Sequence, residues 1–156
     1  EMQRSLVGSE MCIRDSHGHA LIMADLDRFK TTNDRYGHVA GDRVIVESVA
    51  GVVSAVRDDD LVGRVGGDEF MVCLRGISSH LMVEAVAQRM CAAVREAAEA
   101  SDDDHGPVSI SLGIALYPQD GVTYEELYRK ADKALYCAKR AGGGTYAFYR
   151  DEPAAS

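Results

Sequence analysis

Residues 61–74, LVGRVGGDEFMVCL, decide the fold class of this 156-residue chain. Two runs rich in β-forming residues, 61–65 and 70–74, flank the pair Gly66 and Gly67. Because glycine supplies the positive φ that a tight turn demands, the pattern predicts a β-hairpin with acidic residues directly after the glycines. A hairpin in the middle of the chain indicates antiparallel strand pairing.

The segments on either side of the hairpin alternate between helical and strand patterns. Before the hairpin, the patterns predict a buried strand over 20–24 and helices over 29–35 and 40–56. After it, they predict a helix capped by Ser78 or Ser79 and running to about 100, and a strand over 108–116. The last elements are a helix that begins at the capping box of Thr123 and Glu126 and ends at the glycines 142–144, and a strand over 145–149. The order β-α-α-β-β-α-β-α-β predicts an α+β domain, with helices packed on a mostly antiparallel sheet.

The two ends of the chain do not share these patterns. Residues 1–19 show no sustained period of 2 or 3.6, so we expect a non-native-looking or disordered segment and place the domain at 20–150. His17 and His19 form an H-x-H pair, but two ligands do not make a metal site, so a loose loop is favoured. Residues 151–156 are expected to be a frayed tail.

Composition excludes several classes of function. Seventeen basic and 25 acidic residues give a net charge of −8, which argues against non-specific binding to nucleic acid or to an anionic membrane. No apolar run approaches the roughly 20 residues of a membrane span, and no secretory signal is evident. The four cysteines have no metal-binding or redox spacing, which predicts reduced thiols and a cytoplasmic protein.

Two acidic clusters carry the candidate chemistry. Asp25 and Asp27 end the first strand, and Asp68 and Glu69 follow the glycines of the hairpin. If the two elements are neighbours in the sheet, their carboxylates meet at one edge and suit Mg²⁺, which prefers oxygen ligands. Taken alone, Asp-x-Asp at a strand end and Gly-Gly-Asp are also typical of ordinary turns and helix caps.

The combination of blocks resembles the GGDEF family. RVGGDEF at 64–70 matches the motif of that family letter for letter, and DLDRFK at 25–30, followed by ND, GH and GD, matches its first block. SLGIA at 111–115 and ADKALYCAK at 131–139 resemble its later blocks, so the resemblance covers about 20–150.

The resemblance implies a palm-like fold, related to nucleotidyl cyclases and to the ferredoxin-like class, and a diguanylate cyclase activity. Such a domain joins two GTP molecules into cyclic di-GMP with loss of two pyrophosphates. It works with Mg²⁺ or Mn²⁺ and as a homodimer of transient character, because one site holds one GTP.

The roles of individual residues follow from the resemblance by position. The resemblance implies metal ligands at Asp25, the Leu26 carbonyl, Asp68 and Glu69. Of these, Asp68 and Glu69 are the candidate catalytic residues. It implies substrate contacts at Phe29, Lys30, Asn33, His38, Asp42, Gly66, Gly67 and Lys139. An amide and a carboxylate, at Asn33 and Asp42, suit the edge of guanine, while Phe29, Lys30 and Lys139 fall where the family holds phosphates. His38 is equally open to a structural role, and Asp68 is either a base or only a metal ligand.

A second constellation precedes the hairpin. Arg57 and Asp60 form an Arg-x-x-Asp segment nine positions before Gly66, the spacing at which the family has an inhibitory product site for cyclic di-GMP. The planar guanidinium of Arg57 suits phosphate or guanine contacts. Taken without the family context, the same residues fit a solvated acidic turn.

Two departures from the family leave an alternative open. Residues 1–19 lack the segment that usually precedes the first strand, and Gly143 stands where a phosphate-contacting arginine is expected, so restoring arginine there should tighten GTP binding. The alternative function is a catalytically impaired module that binds GTP or cyclic di-GMP as a regulatory receptor. We also expect a sensor domain elsewhere in the full protein.

Overall fold

The computed structural model describes residues 18–102 and 104–150. Within them the elements follow the order β1 (Gly18–Leu26), α1 (Phe29–Tyr36), α2 (His38–Ala55), β2 (Leu61–Gly66), β3 (Glu69–Ile77), α3 (His80–Glu99), β4 (Ile110–Tyr117), α4 (Tyr124–Arg140) and β5 (Tyr146–Phe148). This order confirms the predicted α+β, palm-like domain.

The strands form one sheet in the order β2-β3-β1-β4-β5. β1 pairs antiparallel with β3 and β4, and β5 runs parallel to β4 at the edge. In the predicted hairpin of β2 and β3, Gly66 faces Glu69 and Gly67 has a φ of +41°, the positive value that two-residue hairpins require at their first loop position. The sheet therefore brings the end of β1 next to the hairpin turn.

Successive side chains of β1 point to opposite faces of the sheet, which divides the core into two layers. Ile22 is buried on the face covered by α2 and α3, and Met23 is buried on the face covered by α4. Each such burial stabilises the fold by about 1.5–3 kcal/mol. On the second face, a Cβ at Gly113 would lie 2.1 Å from the Ala131 carbonyl oxygen, so α4 packs directly on the backbone of β4. This contact fixes the C-terminal end of α4 near the end of β1.

Some boundaries differ from the predicted ones. β1 begins at Gly18 rather than Ala20, because His19 is only 2% exposed and lies beside the ring of Tyr117 across the pairing with β4. α2 begins directly after Gly37, whose φ of +89° ends α1. The expected N-terminal segment, apart from Gly18 and His19, and the expected tail lie outside the described residues.

No helix in the described part of the chain combines the length and the apolar character that a membrane span needs.

Candidate functional site

The end of β1 and the hairpin turn form one acidic corner. Asp25 and Glu69 are paired across β1 and β3, and the Leu26 amide donates to the Asp68 carbonyl at 3.2 Å. The carboxyl group of Asp68 lies close enough to that of Asp25 to raise the pKa of Asp25. The structure thus brings together the two carboxylates that lie 43 positions apart in the sequence (68 minus 25).

Asp25 is the electrostatically perturbed member of this corner. Burial, and next the neighbouring Asp68 carboxyl, raise the pKa of Asp25 to about 7, although Lys139 opposes the shift. The Oδ1 atom of Asp25 is buried and makes no hydrogen bond within the described residues. A half-buried carboxyl group with a spare oxygen and an acidic neighbour is arranged for a cation rather than for a turn.

Lys139 joins this corner from the last turn of α4. Its Nζ lies 3.1 Å from Asp25 Oδ2 and donates to the Leu26 carbonyl oxygen and to Asp27 Oδ1, each at 3.3 Å. Burial lowers the pKa of Lys139, but the two aspartates outweigh burial and raise it overall. The ammonium group is therefore held charged at the place where the family resemblance puts phosphate contacts.

Asp27, which the sequence placed in the first acidic cluster without a role of its own, forms a hub of hydrogen bonds. Its carboxylate accepts hydrogen bonds from the hydroxyls of Ser109 and Ser111, each at 2.6 Å, and from the Gly144 amide at 2.7 Å. Burial raises the pKa of Asp27, but these bonds and the charge of Lys139 lower it overall. Only the serines around the start of β4, read together with Asp27, could have signalled this role.

The hub fixes the loop 142–144 that follows α4. Gly143 has a φ of +76°, and a Cβ on it would lie 3.0 Å from Cγ and Oδ1 of Asp27. A side chain at this position is strained in its backbone and crowded against the hub. The geometry therefore opposes the expectation that arginine at 143 would simply tighten nucleotide binding.

The proposed guanine contacts lie where α1 meets α2. Asn33 packs against Gly41, where an added Cβ would lie 1.7 Å from Asn33 Oδ1, so only glycine fits there. Asp42, the next residue, is exposed and lines a shallow cavity on α2 of about 380 Å³. Lys30, in α1, and His38, at the start of α2, are also exposed. Asn33 does not line that cavity, so the structure brings the two guanine contacts near each other without one common wall.

Phe29, Gly66 and Gly67 complete the set of predicted substrate contacts. The Phe29 ring lies beneath Gly41 at the start of α1, where it would meet an added Cβ at 3.4 Å. Gly66 and Gly67 are exposed in the hairpin turn, and an added Cβ at either would meet nothing within 4 Å. The turn is therefore sterically open to a ligand.

Arg57 and Asp60 lie at the other end of β2 from the hairpin turn. The Asp60 side chain is only 2% exposed and accepts from the backbone amides of Arg57 (2.9 Å) and Arg75 (3.0 Å). The Arg57 side chain is 48% exposed, and its guanidinium donates to the Arg75 carbonyl and lies 3.6 Å from Asp60. Asp60 therefore holds the turn, and of the two side chains only Arg57 is available to a ligand.

The residues of the acidic corner fit a divalent cation that prefers oxygen. In residues 18–102 and 104–150, no three His, Cys, Asp or Glu side chains gather closely enough to hold a metal by themselves. Mg²⁺ commonly takes only one or two protein carboxylates, with phosphates and water supplying the other ligands. Two carboxylates meet that requirement, those of Asp68 and of Asp25 with its spare Oδ1. Glu69 is the backbone pairing partner of Asp25 in the sheet, but its side chain does not complete a cluster of three.

Comparisons with known proteins agree with this geometry. The sequence model of the family described as "Diguanylate cyclase, GGDEF domain" matches residues 7–145. Diguanylate cyclase TpbB of Pseudomonas aeruginosa is 39% identical over 137 residues, which are 85% of this chain and 32% of TpbB. The chain thus spans about a third of the length of that relative.

Solved structures are similar over most of the chain. The GGDEF domain of TpbB (YfiN) from Pseudomonas aeruginosa superposes with a TM-score of 0.85 at 34% identity, covering 94% of this chain and 89% of that one. A microbial GGDEF domain, solved for its interaction with cyclic di-GMP, gives a TM-score of 0.77 at 29% identity, covering 94% and 92%.

Proposed function

This chain belongs to the GGDEF domain family of diguanylate cyclases, and on that premise we propose that it condenses two GTP molecules into cyclic di-GMP with release of two pyrophosphates. The observation that carries the proposal is the acidic corner, where the hairpin turn at Asp68 is bonded to the end of β1 and Asp25, with a spare carboxylate oxygen, lies beside the ammonium of Lys139. This corner offers anionic oxygens to a cation and a cation to phosphates at the same place.

In the proposed chemistry, the 3′-hydroxyl oxygen of one GTP forms a bond to the α-phosphorus of the other. The bond between that phosphorus and the bridging oxygen of pyrophosphate breaks, the hydroxyl loses its proton, and a second such transfer closes the ring. Asp25, Asp68 and the Leu26 carbonyl would hold Mg²⁺ or Mn²⁺, with Glu69 as a further ligand. When bound, the ion supplies charge neutralisation at the departing pyrophosphate and lowers the pKa of the attacking hydroxyl. Lys139 then offers its ammonium to the phosphates, and Asp68 is the candidate to assist removal of the hydroxyl proton.

The proposed reaction needs two copies of the domain. Each copy has one acidic corner and one pair of guanine contacts, and the product contains two guanosines. Two domains facing each other therefore bring one hydroxyl to the other phosphate, which makes the active species a homodimer. We place this reaction in the cytoplasm, where GTP is available.

Base selection is assigned to Asn33 and Asp42. Their amide and carboxylate can pair with the amino and imino edge of guanine, whereas adenine lacks the donors that Asp42 accepts from. The packing of Asn33 on Gly41 supports this assignment, since it holds the amide next to the residue before Asp42.

Feedback by product is assigned to Arg57. Its guanidinium is half-exposed and lies at the far end of β2 from the hairpin turn, so cyclic di-GMP bound there would not overlap the acidic corner. A related microbial GGDEF domain was solved for its interaction with cyclic di-GMP, which supports cyclic di-GMP as the ligand in this proposal.

A receptor module without turnover is the second candidate function. The observation that favours it is Gly143, which puts no side chain beside the phosphates and whose neighbourhood is closed by Asp27. Such a module would bind GTP or cyclic di-GMP and release no pyrophosphate.

The test is pyrophosphate release and cyclic di-GMP formation by the purified chain with Mg²⁺. We expect turnover in the parent, and Asp68→Asn should reduce the rate at least a hundredfold, or about 2.7 kcal/mol of transition-state stabilisation. A hairpin turn tolerates Asn, so the melting temperature should stay within a few degrees. Asp132→Asn on the exposed side of α4 is the control and should retain the parent rate.

The outcomes separate the two candidates. If the parent binds GTP but releases no pyrophosphate, the receptor function replaces the cyclase function. If Asp68→Asn keeps more than about a tenth of the rate, a loss below about 1.4 kcal/mol, the role of Asp68 is wrong.

A further inference from the structure

The segment 104–109, which leads from α3 to β4, carries a buried histidine that the proposed mechanism does not use. The side chain of His105 is only 2% exposed. Its Nδ1 atom lies 2.9 Å from the Gly106 carbonyl oxygen, and its Nε2 atom lies 3.3 Å from Oε2 of Glu47 on α2. His105 Nε2 and Glu47 Oε2 are both buried, and neither makes a hydrogen bond elsewhere in the described residues, so each depends on the other.

The chemistry of this contact requires a proton between the two side chains. A carbonyl oxygen can only accept, so Nδ1 of His105 donates to Gly106 and carries a hydrogen. In the neutral ring Nε2 is then an acceptor, and it faces the Glu47 carboxylate, which also accepts. The contact is attractive only when one further proton lies between them, and the pair then ties the segment 104–109 to α2.

The same segment also contacts α1 and the end of β1. Gly106 has a φ of +71°, and an added Cβ there would lie 3.0 Å from the hydroxyl oxygen of Tyr36, the last residue of α1. At the other end of the segment, the Ser109 hydroxyl donates to Asp27, which follows β1, at 2.6 Å. The segment 104–109 therefore connects α2 to α1 and to the strand end that carries the acidic corner.

The histidine pair lies beside the proposed guanine contacts. Glu47 and Asp42 line the same shallow cavity on α2, whereas His105 does not line it. The other guanine contact, Asn33, is in α1, the helix that ends at Tyr36. Since the two guanine contacts come from different helices, the position of α2 relative to α1 decides whether they can reach one base together. The connection through His105 adds to the direct link between the two helices at residue 37.

We propose that His105 and Glu47 are positioning residues for guanine: as a pair they hold α2 relative to α1, so that Asn33 and Asp42 meet the same base. The inference rests on the proposed function, since it concerns the base-selection contacts of that function. A small displacement of such contacts weakens recognition steeply. Because the pair acts on the base rather than on the reacting phosphorus, its loss should raise KM and leave kcat nearly unchanged.

The test combines steady-state kinetics of the whole chain with Mg²⁺ and titration of α,β-methylene GTP and α,β-methylene ATP, which cannot lose pyrophosphate. His105→Ala and Glu47→Ala should each raise KM for GTP at least fivefold, keep kcat within twofold of the parent and reduce the preference for the guanine analogue at least fivefold. The double variant should be no worse than the more impaired single variant, because the two residues act as one unit. Asp104→Asn, an exposed acid directly before His105, is the control and should behave as the parent.

Glu47→Gln separates positioning from the loss of a charge. The amide of glutamine can donate to Nε2 of a neutral His105, so the contact survives without the further proton. Glu47→Gln should therefore keep KM for GTP within twofold of the parent. Alanine favours helices and Glu47 is partly exposed, so Glu47→Ala should fold even if His105→Ala does not.

The outcomes separate the pair from the cyclase function. An unchanged KM in folded Glu47→Ala, an equal loss with Glu47→Gln, or single-variant effects that multiply in the double variant would overturn the pair and leave the cyclase function intact. In a parent that binds the GTP analogue without turnover, the same criteria apply to its dissociation constant. If the parent neither binds that analogue nor forms product, the proposed function fails and the role of the pair fails with it.

Discussion

Any side chain at position 143 should weaken the hydrogen bonds by which Asp27 holds the loop 142–144. Gly143 has a φ of +76°, and a non-glycine residue in that conformation costs about 1–2 kcal/mol. Its Cβ would also lie 3.0–3.1 Å from three atoms of the Asp27 carboxylate. Asp27 must then shift and weaken at least one charge-assisted hydrogen bond, at a further cost of about 1.5 kcal/mol.

Gly143→Ala and Gly143→Arg should therefore both lose about 3 kcal/mol of stability. For a domain of this size the melting temperature should fall by about 10 °C. Gly142→Ala is the matched control: its φ of +118° brings backbone strain, but the added Cβ meets nothing within 4 Å. Gly142→Ala should lose only about 1–2 kcal/mol.

Thermal unfolding and GTP titration of the three variants test this reasoning together. We expect Gly143→Arg to bind GTP no more tightly than the parent, since its guanidinium is gained at the expense of the Asp27 hub. If Gly143→Ala unfolds within about 1 °C of the parent, the crowding argument is wrong. If Gly143→Arg binds GTP more tightly at an unchanged melting temperature, the expectation drawn from the family pattern is restored.

Three further predictions concern the other parts of the site. The pKa of Asp25 is raised to about 7, so without metal its contribution to stability is present below about pH 4 and is lost as the pH rises through 7. In EDTA, the melting temperature of Asp25→Asn should therefore rise relative to that of the parent between pH 5 and pH 8. A difference between the two melting temperatures that stays constant over this range would contradict the prediction. Asp42→Ala should weaken GTP binding about fivefold, or about 1 kcal/mol, and leave weak ATP binding unchanged. Equal losses of affinity for GTP and ATP would contradict the assignment of Asp42 to guanine. Arg57→Ala should raise the inhibition constant for added cyclic di-GMP at least tenfold, about 1.4 kcal/mol, at an unchanged initial rate. The comparison variant is Asp60→Asn. It should lower the melting temperature, because it changes a buried carboxylate that accepts hydrogen bonds from two backbone amides.

Local chemistry made most of the fold predictable. Ser79 and Thr123 cap α3 and α4 by accepting from the amides of Met82 and Glu126, each at 3.2 Å, as their positions in the sequence predict. Caps, glycine turns and hydrophobic periods involve residues within a few positions of one another, so they can be read along the chain. The start of β1 could not be read in the same way, because the burial of His19 depends on Tyr117 in a distant strand.

The candidate site was predictable only in part. Asp25 and Asp68 stand out because they fall at a strand end and in a glycine turn, and the motif GGDEF identifies their family. That the two carboxylates lie at the same corner depends on β3 lying beside β1, which is a property of the sheet order rather than of either segment.

By itself, the sequence determined the element order, the hairpin, the helix caps and membership of the family, since each depends on neighbouring residues or on a contiguous motif. The tertiary structure alone decided the role of Asp27, whose partners Ser109, Ser111 and Gly144 lie 82, 84 and 117 positions away. It also decided the positive φ of Gly143 and the burial of Asp60. The physical reason is that hydrogen bonds and crowding act through space, and packing of the sheet and α4 sets which distant residues meet.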